Sequence, residues 1–266
     1  MDLLMKIQKE YLSFTNQEQK IADYILRYSH QIKNMKISEL AKKIGTSDAS
    51  ITRFVKKIDC DSYSDMKFLI NSSLQQEEPS SSEEAADGIY SYYQNVIQNT
   101  QRLINIEQIR ELIQEIKKAA EITIIGASSS GVTAEIFATR LMRMGFSAKN
   151  YSDPLWMLSK ASISDPNSLF IAISTSGTTK SVLEALKLAK QNQAVIASIT
   201  SYSENPIAGV SDYSLHVYNT RFIDNQRFAN SQFANVYLID VITTYLLEDK
   251  KLRKQLERTR DTTKFL

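Results

Sequence analysis

From Glu121 onward the chain repeats one unit: a short apolar run, a turn rich in Ser, Thr and Gly, then a helical pattern. The spacing predicts strands over Ile122–Ile125, Ala148–Tyr151, Leu169–Ile173, Ala194–Ile199 and Tyr213–Val217. Helices are expected between them over Val132–Met144, Pro154–Ala161 and Thr178–Gln191, and a long helix, about Ser231–Leu256, closes the chain. Parallel strands need crossover connections, so this alternation implies an α/β fold with a parallel sheet and helices on both faces, a three-layer α/β/α arrangement. In such sheets ligands sit beyond the carboxyl ends of the strands.

The stretch Leu169–Lys180, LFIAISTSGTTK, shows what that edge offers. A buried strand runs into Ser174-Thr175-Ser176-Gly177-Thr178-Thr179, and a helix follows with Val182, Leu183, Leu186 and Ala189 on one face. The first N–H groups of a helix have no intrahelical partner, and the aligned peptide dipoles add about half a positive charge there. With Ser and Thr hydroxyls around it, such a corner suits a phosphate. A second loop of this type, Gly126-Ala127-Ser128-Ser129-Ser130-Gly131, follows the first strand. Its glycines have phosphate-loop spacing, but Val132-Thr133 stand where a nucleoside triphosphate site requires Lys-Ser/Thr. No G-x-G-x-x-G follows a strand, so a dinucleotide is equally unsupported. What remains suits one phosphate and neighbouring sugar hydroxyls, with Ser128, Ser129, Ser174, Ser176, Gly177, Thr178 and Thr179 as the candidate ligands. Each of these Ser and Thr residues has a plainer role open to it, because Ser and Thr cap helices routinely.

Residues 1–70 read as helical throughout. Gln17–Tyr28 places Ile21, Ala22, Tyr24, Ile25 and Tyr28 on one face, and Ile37–Ile44 turns Ile37, Leu40, Ala41 and Ile44 inward. Gly45-Thr46-Ser47 breaks that helix, and Ser47 is placed to cap the next, Asp48–Ile58, whose buried stripe is Ile51, Phe54, Val55 and Ile58. Two short helices about a glycine turn form a helix-turn-helix, whose second helix reads the DNA major groove. Ser47, Ser50 and Thr52 can approach base edges, whereas Arg53, Lys56 and Lys57 can reach phosphates. The plainer alternative is a helical hairpin inside a larger core. Net charge is only +2, so any DNA-binding patch has to be local; residues 1–70 carry 12 Lys/Arg against 9 Asp/Glu.

Residues 71–88, NSSLQQEEPSSSEEAADG, hold Pro79, a serine run and acidic residues with no basic one, which is the composition of a solvated linker. The expected organisation is a helix-turn-helix domain over 1–76, a linker over 77–88 and a ligand-binding domain over 89–266, the last opened by helices Ile89–Leu103 and Ile106–Ala119. The single Cys60 excludes an internal disulfide, the start MDLLMKIQKEYL is too polar for a signal-peptide core, and no apolar run approaches a membrane span. A soluble, cytoplasmic protein is expected.

Sugar isomerisation needs a base near the substrate carbonyl. His30 belongs to the N-terminal domain, His216 sits between Leu215 and Val217 in an apolar strand, and Glu135 lies one turn past the first loop, where a surface ion pair would account for it equally well. No His/Cys cluster has metal spacing, so neither a metal nor a cofactor is expected. Binding without chemistry is the preferred reading. The alternative is a phosphosugar isomerase with an accessory helical domain.

With both halves in view, the chain resembles the RpiR (MurR/RpiR) family of bacterial transcriptional regulators. The resemblance runs through QKIADYIL (19–26), ISELAKKIGTSDASITRFVKKI (37–58) and YSDMKFLI (63–70), then through IGASSSG (125–131) and ISTSGTTKSV (173–182), which are similar to the family's sugar isomerase (SIS) domain. It implies a homodimer or tetramer that binds operator DNA and senses a sugar phosphate. By position, Ser47, Ser50, Thr52 and Arg53 would face DNA, and Ser128, Ser129, Ser174, Ser176, Thr178 and Thr179 would match the phosphosugar pocket. Many members carry Ser-Arg ahead of an Ile-Asp pair in the final helix. Here Ser231-Gln232 precede Ile239-Asp240, so an arginine contact from this helix is lost unless Arg221 or Arg227 replaces it.

Overall fold

The computed structural model describes residues 3–32, 34–74, 85–201, 205–218 and 229–261. They divide between Asn95 and Val96 into two compact units, with Asn230 and the residues after it belonging to the second. The linker expected over 77–88 lies outside the described residues up to position 84. Ala85–Gly88 form the first turn of a helix, where two alanines and an acidic Asp87 suit a helix start.

The first unit is helical: α1 (Leu3–Glu10), α2 (Asn16–Arg27), α3 (Ser29–Ile32), α4 (Ile37–Ile44), α5 (Asp48–Lys57), α6 (Tyr63–Leu74) and the start of α7 (Ala85–Leu103). The sequence dictates the boundaries of the central helices. α2 opens on a capping box in which Thr15 and Glu18 satisfy each other's backbone N–H. α4 ends at Gly45, whose φ of 74° is the left-handed conformation that glycine adopts without a Cβ penalty. α5 opens on Ser47, whose hydroxyl accepts from the Ser50 N–H at 3.2 Å. Ile21, Ile25, Leu40, Ile51, Phe54 and Val55 are fully buried between these helices. Phe54 meets Phe14 edge to face at 5.1 Å, an aromatic pair that adds to the burial of both rings.

The second unit is built on five strands: β1 (Glu121–Ile125), β2 (Ala148–Tyr151), β3 (Ser168–Ile173), β4 (Val195–Thr200) and β5 (Tyr213–His216). All neighbours are parallel, and the order is β2-β1-β3-β4-β5. Ile124 pairs with Ile171, Ile171 with Ala197 and Ile199 with Leu215, which aligns the carboxyl ends of the strands along one edge. Every residue of β3 is buried, as a strand covered on both faces requires. Helices α8 (Ile106–Lys118), α9 (Ser129–Arg143), α10 (Pro154–Ser162), α11 (Lys180–Gln191) and α12 (Pro206–Val210) connect or flank the strands, and α13 (Phe233–Leu246) and α14 (Lys250–Asp261) follow them. α13 packs on α8 and α9, while α11 packs on α10 and α12. Ile125, Phe170, Ala172 and Ile196 of the sheet meet Met157, Val182, Leu186 and Ile207 in one core.

The long closing helix expected over Ser231–Leu256 is two helices. Asp249 interrupts it: its carboxylate accepts from the Lys251 N–H at 2.9 Å, starting α14, and from Lys117 Nζ at 2.9 Å. Arg253 satisfies the Leu247 carbonyl left over from α13 at 2.9 Å. Pro206 opens the short α12, capped by Asn205.

Candidate functional site

The first candidate surface is the exposed face of α5. Burying Ile51, Phe54, Val55 and Ile58 on one side leaves Ser47, Thr52, Arg53, Lys56 and Lys57 exposed and Ser50 half-buried on the other. The hydroxyls of Ser47 and Ser50 are 3.0 Å apart, and Arg53 Nη2 donates to Ser50 Oγ at 3.3 Å, so these three form one cluster at the start of the helix. Thr52 is different, because its hydroxyl donates to the Asp48 carbonyl one turn back at 2.9 Å. Lys57 also departs from the set: its Nζ pairs with Glu18 of α2 at 2.8 Å and lies 5.5 Å from the centre of the Phe14 ring. Partial burial alone would raise the Glu18 pKa. The hydrogen bond from Lys57 and those from Thr15 outweigh burial and hold the carboxyl below the ordinary glutamate value.

The second candidate site lies in the other unit, at the carboxyl ends of β1 and β3. These strands are neighbours, yet the chain leaves β1 toward β2 on one side and leaves β3 toward β4 on the other. That divergence is the topological switch point at which open α/β sheets hold ligands. The loops after β1 and β3 are the two hydroxyl loops, so the fold brings all the predicted phosphosugar residues to one edge of the sheet.

Close approach shapes both loops. A Cβ on Gly126 would lie 2.6 Å from the Ser130 carbonyl oxygen, and one on Gly131 would lie 2.7 Å from Ser152 Cβ. These glycines let the turn fold back on itself, and Ser128 between them takes a positive φ of 52°. In the β3 loop Gly177 has φ +66°, and a side chain there would overlap the Asn205 carboxamide. Asn205 in turn donates to Thr200 Oγ1 at 3.0 Å, and Thr200 Oγ1 is 3.3 Å from His216 Nδ1. His216 therefore sits in the polar scaffold that supports Gly177. Glu135 is exposed on α9.

Within the β3 loop, Ser174 is buried and pairs with Thr179 at 3.1 Å, while Thr178 donates to Ser176 Oγ at 3.0 Å. Ser128 and Ser129 of the first loop are exposed. The helices that follow, α9 and α11, start with no side-chain cap, unlike α2, α5, α8, α10 and α12, each capped by a Thr, Ser, Asn or Asp. At the start of α9 the Ser130 and Gly131 N–H groups turn back to the Ala127 and Ser128 carbonyls, at 3.1 and 2.9 Å, whereas a helix start with no side-chain cap such as that of α11 suits an anion.

The residue that joins the loops is Gln232, just ahead of α13. Its Nε2 donates to Ser129 Oγ at 3.2 Å and to Thr175 Oγ1 at 3.5 Å. Its Oε1 accepts from Asn235 Nδ2 at 2.9 Å and from Ser130 Oγ at 3.4 Å, with Thr133 Oγ1 3.2 Å away. Thr175, Ser130, Thr133 and Asn235 are missing from the residues predicted above. The signal for the last three is a buried polar residue inside an apolar helical stripe, Ser130 and Thr133 on α9 and Asn235 on α13; Thr175 is a half-buried loop residue and carries no such signal. Arg221 and Arg227 lie outside the described residues. Among the described residues, no group of three or more His, Cys, Asp or Glu could hold a metal.

Comparison with known proteins bears on both sites. Residues 1–77 match the helix-turn-helix domain of the rpiR family, and residues 115–245 match the SIS domain. An uncharacterized HTH-type transcriptional regulator of Haemophilus influenzae is 28% identical over 263 residues, which cover 94% of this chain and 91% of the relative. The solved structure of the Vibrio vulnificus NanR protein complexed with ManNAc-6P is 24% identical, covers 99% of both chains and superposes with a TM-score of 0.65. The sugar isomerase domain of an RpiR transcription factor from Sphaerobacter thermophilus is 14% identical, covering 67% of this chain and 99% of that one with a TM-score of 0.61. The chain belongs to the RpiR family of HTH-type transcriptional regulators, with a SIS domain following its helix-turn-helix domain.

Proposed function

We propose that this regulator changes its affinity for operator DNA when a phosphorylated sugar occupies the two hydroxyl loops of the SIS domain. One observation carries the reading: the loops after β1 and β3 converge at the switch point, and both lead into helices with no side-chain cap. The phosphate is held by the N–H groups at the start of α11 and by Ser128, Ser129, Ser176 and Thr178. Ser174 and Thr179 hold the second loop in shape, and Gly177 lets it pass Asn205. A ManNAc-6P complex of a structural neighbour supports a sugar phosphate as the class of ligand.

On the DNA side, Ser47, Ser50 and Arg53 read the major groove and Lys56 contacts phosphate. Operators of helix-turn-helix dimers present half-sites about 34 Å apart, so the chain acts as a homodimer or a tetramer of such pairs. A ligand that alters the spacing of two recognition helices then shifts operator affinity, and a coupling of about 1–3 kcal/mol is about 5- to 150-fold. The protein binds its sugar without turning it over, because His216 is committed to Thr200 and Glu135 is exposed. No described helix is long and apolar enough to cross a membrane, in keeping with work on DNA in the cytoplasm.

The test is a thermal-shift screen of hexose, pentose and N-acetylhexosamine phosphates, followed by mobility shift on the protein's own promoter region with and without any stabilising sugar. Stabilisation by a phosphosugar, and a change in operator affinity with it, are expected. No stabilisation by any of them would overturn the sensor reading, and interconversion of a sugar phosphate by the purified protein would replace it with the isomerase alternative.

A further inference from the structure

The polarity of the phosphosugar site is set by a residue that belongs to neither loop. Gln232 is 7% exposed, and every hydrogen-bonding position of its carboxamide is engaged. Its nitrogen faces Ser129 and Thr175, one hydroxyl from each loop, and its oxygen faces α9 and its own helix. The residue occupies the cap position of α13, yet its side chain makes no cap bond there and is given over to the loops.

Direction is what matters. A hydroxyl that accepts a hydrogen bond keeps its own proton to donate elsewhere. With the Gln232 N–H groups directed at them, Ser129 and Thr175 are left as donors, which a phosphate needs. With the amide inverted, its oxygen would take those protons and present the phosphate with lone pairs. Asn235 decides between the two. It is 1% exposed, its Nδ2 donates to Gln232 Oε1 at 2.9 Å, and its own Oδ1 has no hydrogen-bond partner among the described residues. With Asn235 Nδ2 in that place, an inverted Gln232 would set two N–H donors against each other.

We propose that Gln232, oriented by Asn235, is the positioning residue that holds Ser129 and Thr175 as proton donors toward the phosphate of the bound sugar. The inference rests on the phosphosugar reading of the two loops. It makes an uncharged side chain, brought in from α13, the link between loops carried by β1 and β3, so that occupancy of the site is felt at the start of that helix.

The experiment is titration calorimetry of the full chain with N-acetylmannosamine 6-phosphate, fructose 6-phosphate, arabinose 5-phosphate and inorganic phosphate, with folding verified by circular dichroism. Gln232→Ala should weaken the tightest of these about 10- to 100-fold, the worth of one or two hydrogen bonds to a charged group. Asn235→Asp, which touches no ligand, should produce a loss of the same order by inverting Gln232. In a Ser129→Ala/Thr175→Ala background, adding Gln232→Ala should cost less than about twofold, since the residue acts only through those hydroxyls. An unchanged dissociation constant in folded Gln232→Ala, or losses that multiply independently of Ser129 and Thr175, would overturn the inference while leaving the sensor reading intact. Failure of the parent chain to bind any of the four probes would overturn both.

Discussion

Lys56 and Lys57 are adjacent and equally basic, and the structure gives them different work. Lys56 is exposed on α5, whereas Lys57 reaches back to Glu18 and Phe14. A lysine that neutralises a DNA phosphate releases a counterion, so Lys56→Ala should reduce the slope of log affinity against log salt by about 0.9. Lys57→Ala should leave that slope unchanged and instead lower stability, by no more than about 1 kcal/mol for a pair this exposed. Operator titrations across a salt series, run beside urea denaturation, separate the two. Glu18 adds a pH dependence with a definite sign. Its carboxyl is held below its ordinary value in the folded state, so the ion pair stabilises the helical unit above the ordinary glutamate range, and that stability is lost as pH falls through it. Denaturation midpoints from pH 7 down to pH 3 should therefore fall more steeply for the parent than for Glu18→Gln. The helical pattern identified both lysines as outward-facing, but the partner of Lys57 lies 39 residues away, beyond the reach of any local reading.

The elements themselves were largely legible, because each carries its own punctuation. Ser47 caps α5, Gly45 closes α4, and the apolar runs of β3 and β4 end at Ser174 and at Thr200-Ser201. What stayed hidden was longer in range. The split between α13 and α14 depends on Lys117 and Arg253 meeting Asp249 and the Leu247 carbonyl, and the apolar period runs on without marking it. The strand order is set by which way each crossover turns, and this alone places the two hydroxyl loops side by side. Gln232 reaches Ser129 across 103 residues, so its part in the site follows from packing. Gly177 shows an element-scale demand that was visible only as a glycine in a loop. It combines φ +66° with contact against Asn205, so Gly177→Ala should cost about 1–3 kcal/mol or force Asn205 out of its cap on α12. Thermal denaturation should register the loss, and phosphosugar binding should weaken with it. Ser47→Ala should cost about 0.5–2 kcal/mol through the lost cap on α5, with no effect on sugar binding.

At the scale of the whole molecule, the two sites lie in separate units, and regulation requires that each affect the other's binding equilibrium. Thermodynamic linkage makes this reciprocal: whatever factor a phosphosugar applies to operator affinity, the operator must apply to phosphosugar affinity. The sign follows without knowing whether the sugar releases or recruits DNA. If the sugar weakens operator binding tenfold, a saturating operator duplex must raise the sugar's dissociation constant tenfold, and if it strengthens binding the constant must fall by the same factor. The size of the effect is bounded by the ligand's differential affinity for the DNA-competent and DNA-incompetent states, not by its total affinity. A sugar that binds tightly but equally to both states would still stabilise the fold, by about 2.7 kcal/mol at a hundred times its dissociation constant, while leaving operator binding untouched. Stabilisation and regulation are thus separable, and the decisive measurement is calorimetric titration of the phosphosugar into the protein alone and into the protein saturated with operator. Shifts of the same factor and in the same direction are expected for the two affinities. A sugar that stabilises the protein yet has the same affinity with and without operator would show that the SIS site binds its ligand without informing the reading helices.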